Sequence, residues 1–337
     1  MISYWNWPKV LGVGIGILLL FFPKMLSETH INLSIEIFIF ALYAVSFNLL
    51  WGYGGMLPFG HGALFGVGAY TAGLIFNHIP HMHLLLTLLM AALSGLVSAM
   101  VIGFFCVRLK GAYFALLSLA FQMFLFALAW KWRDVTRGDD GMGIVRPSLH
   151  LPGLGSISMM NINNLYYFTL IIIVLGILAC YLFLRTPLGN SVVCMRENEL
   201  RASFLGYRPF MTKFTVFSFS GIFAAIAGAL FVLFTEFMGT NSIDINMSMA
   251  AIFMVLIGGA GHFLGPVLGA AFYTAFQDWI SSLTKHWWLI MGIFFIVVIL
   301  YLQGGLISLL QSERIRFWLG GQNKSANGKN TESRKPV

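Results

Sequence analysis

Apolar residues run through this chain in blocks about as long as a bilayer is thick, and the polar residues fall between the blocks rather than alternating within them. Leu165 to Leu184 carries no charge, and neither do Phe214 to Thr235 or Trp287 to Leu302. About 20 apolar residues are enough to cross the hydrocarbon core as a helix. The pattern predicts about ten crossings, near residues 10–26, 32–51, 59–77, 84–107, 112–132, 165–184, 214–236, 247–260, 264–281 and 287–309, with boundaries good to a few residues. Backbone polar groups surrounded by such side chains must pair within their own segment, which selects helices. A membrane β-barrel would need period-two alternation, and none is present. The expected fold class is an all-α polytopic membrane protein.

Composition agrees with the pattern: 58% of residues are hydrophobic, 9% are charged and the mean hydropathy is +0.84. The formal charge of +8 matters because of where it collects. Arg185, Arg196, Arg201, Arg208 and Lys213 outnumber Glu197 and Glu199 between residues 185 and 213. Arg314, Arg316, Lys324, Lys329, Arg334 and Lys335 outnumber Glu313 and Glu332 after residue 310. Positive residues mark cytoplasmic segments. Both regions are therefore expected inside, along with the N-terminus, and the charge reads as topology rather than as a nucleic-acid surface. The N-terminal apolar run is expected to be a retained span, because no small-residue cleavage site follows it. Residues 1–310 are then one transmembrane domain and 311–337 a disordered cytoplasmic tail. Cys106, Cys180 and Cys194 have no metal-ligand spacing and are expected to be structural thiols.

Two glycine-rich interruptions stand out. WGYGGMLPFGHGALFGVGAY spans Trp51 to Tyr70, and GGAGHFLGPVLGAAFY spans Gly258 to Tyr273. Proline removes a backbone donor and glycine permits unusual dihedrals, so both are expected to be breaks between crossings, covered by protein or facing a cavity. Broken helices of this kind line transport paths. That makes Gly54, Gly55, His61, Gly62, Gly258, Gly259, Gly261, Gly265 and Pro266 the candidate pathway residues. Small residues four apart also let helices pack closely with no transport role, and His61 is equally readable as a neutral, hydrogen-bonded residue at a helix start. His262, Asp278 and Glu236 are expected near interfaces.

The segment 133–164 falls on the opposite side from the basic loop and, at roughly 30 residues, is too long for a mere connection. Catalytic motifs are not found: there is no G-x-x-x-x-G-K-[ST] phosphate loop, no H-E-x-x-H and no G-x-S-x-G. The chain is expected not to be an enzyme, so uphill transport would need nucleotide hydrolysis by another polypeptide. Attention therefore shifts to the basic loop. Thr186 and Pro187 give a turn, Ser191 to Leu205 has helix formers with Val192, Val193, Met195, Leu200, Phe204 and Leu205 at the apolar positions, and Gly206 can end the helix. Such a helix either transmits a push from a soluble partner or lies on the anionic lipid surface.

RENELRASFLGY, Arg196 to Tyr207, resembles the cytoplasmic EAA-like motif of ABC importer permeases. Over residues 32–310 the chain resembles the LIV-type permease family of branched-chain amino acid and urea-type importers. Its blocks GYGGMLPFGHGALFGVGAY, LKGAYFALLSLAFQ, RTPLGNSVVCMRENELRASFLGY, SFSGIFAAIAGAL and VLIGGAGHFLGPVLGA follow the family's order. The resemblance implies an ABC importer permease fold in a bacterial inner membrane and a heterodimer with a second permease subunit. It also implies two cytoplasmic ATPase subunits that use the ATP, an extracytoplasmic solute-binding protein, and no cofactor in this chain. It assigns ATPase coupling to Arg196, Glu197, Glu199, Arg201, Ala202 and Gly206, and contact with the binding protein to Arg137, Gly138, Asp139, Asp140 and Gly141. Where the family commonly has Gly-Glu after L-A-F this chain has Gln122 and Met123, and where Thr-Gly-Gly is usual it has Thr136, Arg137 and Gly138. Those departures leave urea or a short-chain amide, another amino acid or an unrelated small solute open as substrate beside the branched-chain amino acids, and the rival class is an ion-coupled secondary transporter using His61 and Asp278.

Overall fold

A computed structural model describes residues 27–79, 82–151 and 155–301, with Pro23, Gly305 and Leu306. The span expected near 10–26 and the tail 311–337 lie outside the described residues.

The first helix, α1, runs Glu28–Asn48 and continues as one π turn over Leu49–Tyr53. Then come α2 (His61–His78), α3 (Leu84–Cys106), α4 (Ala112–Lys131) and the short α5 (Arg133–Thr136). Three short strands follow, β1 (Met142–Gly143), β2 (Ser148–Leu151) and β3 (Gly155–Ser158). The second half contains α6 (Ile162–Arg185), α7 (Pro187–Glu197), α8 (Glu199–Phe204), α9 (Pro209–Thr235), β4 (Phe237–Met238), α10 (Ile245–Gly258), α11 (Gly265–Leu283) and α12 (Trp287–Tyr301).

Among the described residues six helices are long and apolar enough to cross a membrane, Glu28–Tyr53, Leu84–Cys106, Ala112–Lys131, Ile162–Arg185, Pro209–Thr235 and Thr240–Gly258. That falls short of the expected ten. The helices α2 and α11 carry glycine, histidine, asparagine, threonine or aspartate in place of long aliphatic side chains, which lowers their hydropathy. The architecture is also not purely helical: β1 pairs with β4 and β2 with β3, both antiparallel.

Burial separates inner from outer helices. In α1 and α9, 78% of the span is buried, against 28% in α4 and 33% in α3. The centre is therefore α9, which packs on α1, α2 and α3, while α6 and α11 flank α1. Lipid tails are as apolar as leucine, so burial gives helices no reason to associate in a bilayer, and close backbone approach has to do it. Gly228 supplies this on α9. A Cβ there would run into the Phe65 carbonyl of α2, as one on Gly68 would into Ala225. Tyr43, Phe47, Phe65 and Phe217 fill the space around these contacts. The outward faces of α3 and α4 expose Leu89, Val97, Leu116 and Phe124, as a surface bounded by lipid or a partner requires.

Candidate functional site

The two glycine-rich segments break their helices as expected, and they meet. Gly54, Gly55 and Met56 donate their N–H groups back to Leu49, Trp51 and Leu50, closing the π turn, and the chain runs non-helically to His61. On the other side α10 stops at Gly258, and Gly259 (φ 105°) and Gly261 (φ 99°) carry the chain to α11, with Pro266 in its first turn. Asn48 Nδ2 donates to the His262 carbonyl at 3.2 Å. A Cβ on Gly52 would lie 2.9 Å from Gly261 N.

Arg196, in the last turn of α7, joins this pair of breaks to the basic loop. Its guanidinium donates to the Gly52 carbonyl, and Nη1 lies against Gly261, 3.7 Å from where a Cβ would be. Its aliphatic stem covers Gly55, where a Cβ would be 3.1 Å from Arg196 Cγ. With φ at +66°, that position suits glycine on conformational grounds as well.

Beside this contact Glu199 Oε2 bridges Lys110 Nζ at 2.9 Å and Lys213 Nζ at 3.1 Å. Partial burial works against the charged carboxylate, but hydrogen bonding and attraction from the two lysines outweigh it and hold Glu199 below its ordinary pKa of 4.5. The basic loop is thereby pinned to the start of α9 and to the turn between α3 and α4. A cleft of about 600 Å³ opens here, lined by Gly54, Gly55, Leu57, Phe59, Lys110, Arg196, Glu199 and Lys213 among others.

The basic loop is two helices rather than one. Asn198 (φ −159°, ψ 103°) interrupts it, and its side chain accepts from Arg201 N to cap α8. Gly206 (φ +91°) ends α8, with Tyr207 N donating to the Ala202 carbonyl. Of the six residues assigned to coupling, Glu199 and the buried Ala202 face the protein and Arg196 reaches the breaks, while Glu197, Arg201 and Gly206 are exposed. Leu200, Phe204 and Leu205, three of the apolar positions of this segment, point out and are 71%, 88% and 75% exposed.

His61 and Gly62 lie not in the cleft but in a buried polar junction. Ser46 Oγ lies 2.7 Å from the Tyr43 carbonyl, to which it donates, and shares a hydrogen bond of 3.0 Å with His61 Nε2. The ring stacks on Tyr43 and meets the edge of Phe47. Gly62 N–H donates to Ser248 Oγ (2.7 Å), which donates to Gln122 Oε1 (2.8 Å). Gln122 Nε2 then donates to the carbonyls of Ile243 and Asp244 at 3.0 and 2.8 Å. Gln122 and Ser248 thus lock α2, α4 and α10 together, a role that only their burial reveals. Gly258, Gly265 and Pro266 pack on one another at the turn between α10 and α11.

At the far end of α9, Arg137 takes the left-handed conformation (φ 57°) between Thr136 and Gly138, and Asp139 accepts from Thr240 Oγ1 at 3.4 Å. Arg137, Asp139 and Asp140 are exposed, whereas Gly138 and Gly141 are buried. Arg146, not singled out from the sequence, donates to the Leu233 and Phe234 carbonyls at 3.0 and 2.7 Å and pairs with Glu236 at 3.0 Å.

Residues 30–302 match the family described as branched-chain amino acid transport system / permease component. Over 324 residues, 90% of this chain and 76% of the relative, the chain is 25% identical to the high-affinity branched-chain amino acid transport system permease protein LivM of Escherichia coli (strain K12). It is 24% identical to LivM of Salmonella typhimurium (strain LT2) over 310 residues, 86% of this chain and 73% of that one. A shorter stretch of 136 residues, 38% of each chain, is 31% identical to the autoinducer 2 import system permease protein LsrC of Salmonella paratyphi B. No solved structure matches the chain.

Proposed function

Because the chain belongs to the branched-chain amino acid transport system permease family and is an LIV-type ABC permease subunit, we propose that it forms half of an ATP-driven import pathway for branched-chain amino acids in a bacterial inner membrane. A second permease subunit supplies the other half. Two cytoplasmic ATPase subunits hydrolyse ATP, and an extracytoplasmic solute-binding protein delivers the substrate. Residues 185–213 and both termini lie inside, and 133–164 lie outside.

In this reading α8 is the docking element. Leu200, Phe204 and Leu205 enter an apolar cleft on an ATPase subunit, flanked by Glu197 and Arg201. Movement of α8 reaches the pathway through Glu199 and Arg196. The observation that carries the reading is the Arg196 contact, which joins the basic loop to the first glycine break, tied in turn to the second by the Asn48–His262 hydrogen bond.

Uptake of labelled leucine by proteoliposomes containing the full complex tests it, with urea and acetamide as competitors. Leucine accumulation that requires ATP and is lost in Phe204→Ala is the expected result. Accumulation by this chain alone would overturn the coupling, and competition by urea alone would overturn the substrate.

A further inference from the structure

Among the described residues, the helix α9 is held at both ends by charged side chains. At its start Lys213 is bound to Glu199 of the docking segment. At its end the Leu233 and Phe234 carbonyls, which have no helical partner left, accept from Arg146. Arg146 belongs to the outer segment, is only 10% exposed, and also pairs with Glu236 just past the helix. One short antiparallel ladder ties the same segment there, with Met142 opposite Met238 and Gly143 opposite Phe237. Between the ends lie 27 residues, about 40 Å of helix. Between residues 217 and 228 it packs closely against α2 and α3, with Gly221 against Ala99 and Gly228 against Phe65, which resists bending and sliding there.

Resting on the reading of this chain as an importer subunit, we propose that α9 is the transmission element between the binding-protein face and the ATPase face, and that Arg146 is the positioning residue that fastens the outer segment to it. Docking of the binding protein displaces the outer segment. Arg146 passes that displacement to the end of α9, and Lys213 passes it to Glu199 and the docking helix. Without Arg146 the outer segment still binds its partner and keeps its β1–β4 pairing with the residues just past the helix, but it loses its grip on the last carbonyls of α9.

The test uses the complete complex in proteoliposomes, scoring basal ATP hydrolysis, stimulation by leucine-loaded binding protein, and leucine uptake. Arg146→Gln is expected to leave basal hydrolysis within twofold and to cut stimulation and uptake at least tenfold. A disulfide between Gly143→Cys and Phe237→Cys, in a Cys194→Ser background, fastens the outer segment covalently to β4, just past the end of α9. A Cβ at Gly143 meets no atom within 4 Å, so the two short strands draw slightly together to close the bond. Oxidising this pair in Arg146→Gln is expected to restore stimulation to within threefold of the parent, and reduction to abolish it again. If Arg146→Gln fails to assemble, Arg146→Lys keeps the charge but loses the fork. It is expected to lose stimulation at least threefold, with the same rescue. Unchanged stimulation in the assembled variant, or a disulfide that forms without rescue, overturns the proposal. A parent complex that hydrolyses ATP but takes up no leucine would instead refute the substrate reading.

Discussion

At the scale of single residues, the basic loop presents carbon as well as charge at its surface. Phe204 is 88% exposed, so Phe204→Ala removes almost no packing. It is expected to shift the unfolding midpoint by less than 2 °C, about half a kcal/mol, while lowering coupled uptake at least tenfold. Glu199 behaves oppositely, being exposed enough that each ion pair contributes no more than about 1 kcal/mol but fixed between two lysines. Its pKa is depressed, so the stabilisation from pairing is fully present above pH 4.5 and is lost as the pH falls below that value. Glu199→Gln should flatten this acid limb of the stability profile, measured by thermal unfolding in detergent from pH 3 to pH 7. Sequence reading assigns Glu199 to coupling from its place in RENELRASFLGY, but does not say which of its apolar neighbours are covered. The reason is physical: Leu200 and Phe204 have the spacing of a buried stripe, and their exposure appears only in the folded chain.

At the scale of elements, hydropathy locates α3, α4 and α6 to within about three residues, because an uncharged run between polar flanks has only one way to lie in a bilayer. It does not say which helix is central. Apolar side chains surround α9 as fully as α4, and the distinction rests on small residues such as Gly228, whose consequence appears only when Phe65 is opposite. Gly228→Ala should push α2 away from α9 and cost about 1–3 kcal/mol by overpacking, visible as a lower unfolding midpoint. Gly292→Ala, where a Cβ meets no atom within 4 Å, should change it little. The β1–β4 ladder is likewise unreadable in advance, since it joins two-residue strands nearly a hundred positions apart. Its partner Arg146 looks from the sequence like one more loop cation.

At the scale of the whole molecule, the expected sidedness can be checked with a thiol the protein already has. Cys106 and Cys180 are buried and Cys194 is exposed. A membrane-impermeant maleimide is expected to reach Cys194 only from the cytoplasmic face of sealed vesicles. A cysteine introduced at Val145, which is 80% exposed, should react only from the other face once Cys194 is serine. The opposite pattern would invert the assignment. The joint at Asn198 has a mechanical consequence on this scale. It is one extended residue, capped by its own side chain rather than loosened by glycine, so the angle between its two short arms is kept. In the docking reading proposed above, a tug on the arm bearing Phe204 is expected to rotate the arm bearing Arg196, as a bell crank turns a sideways pull into an upward one.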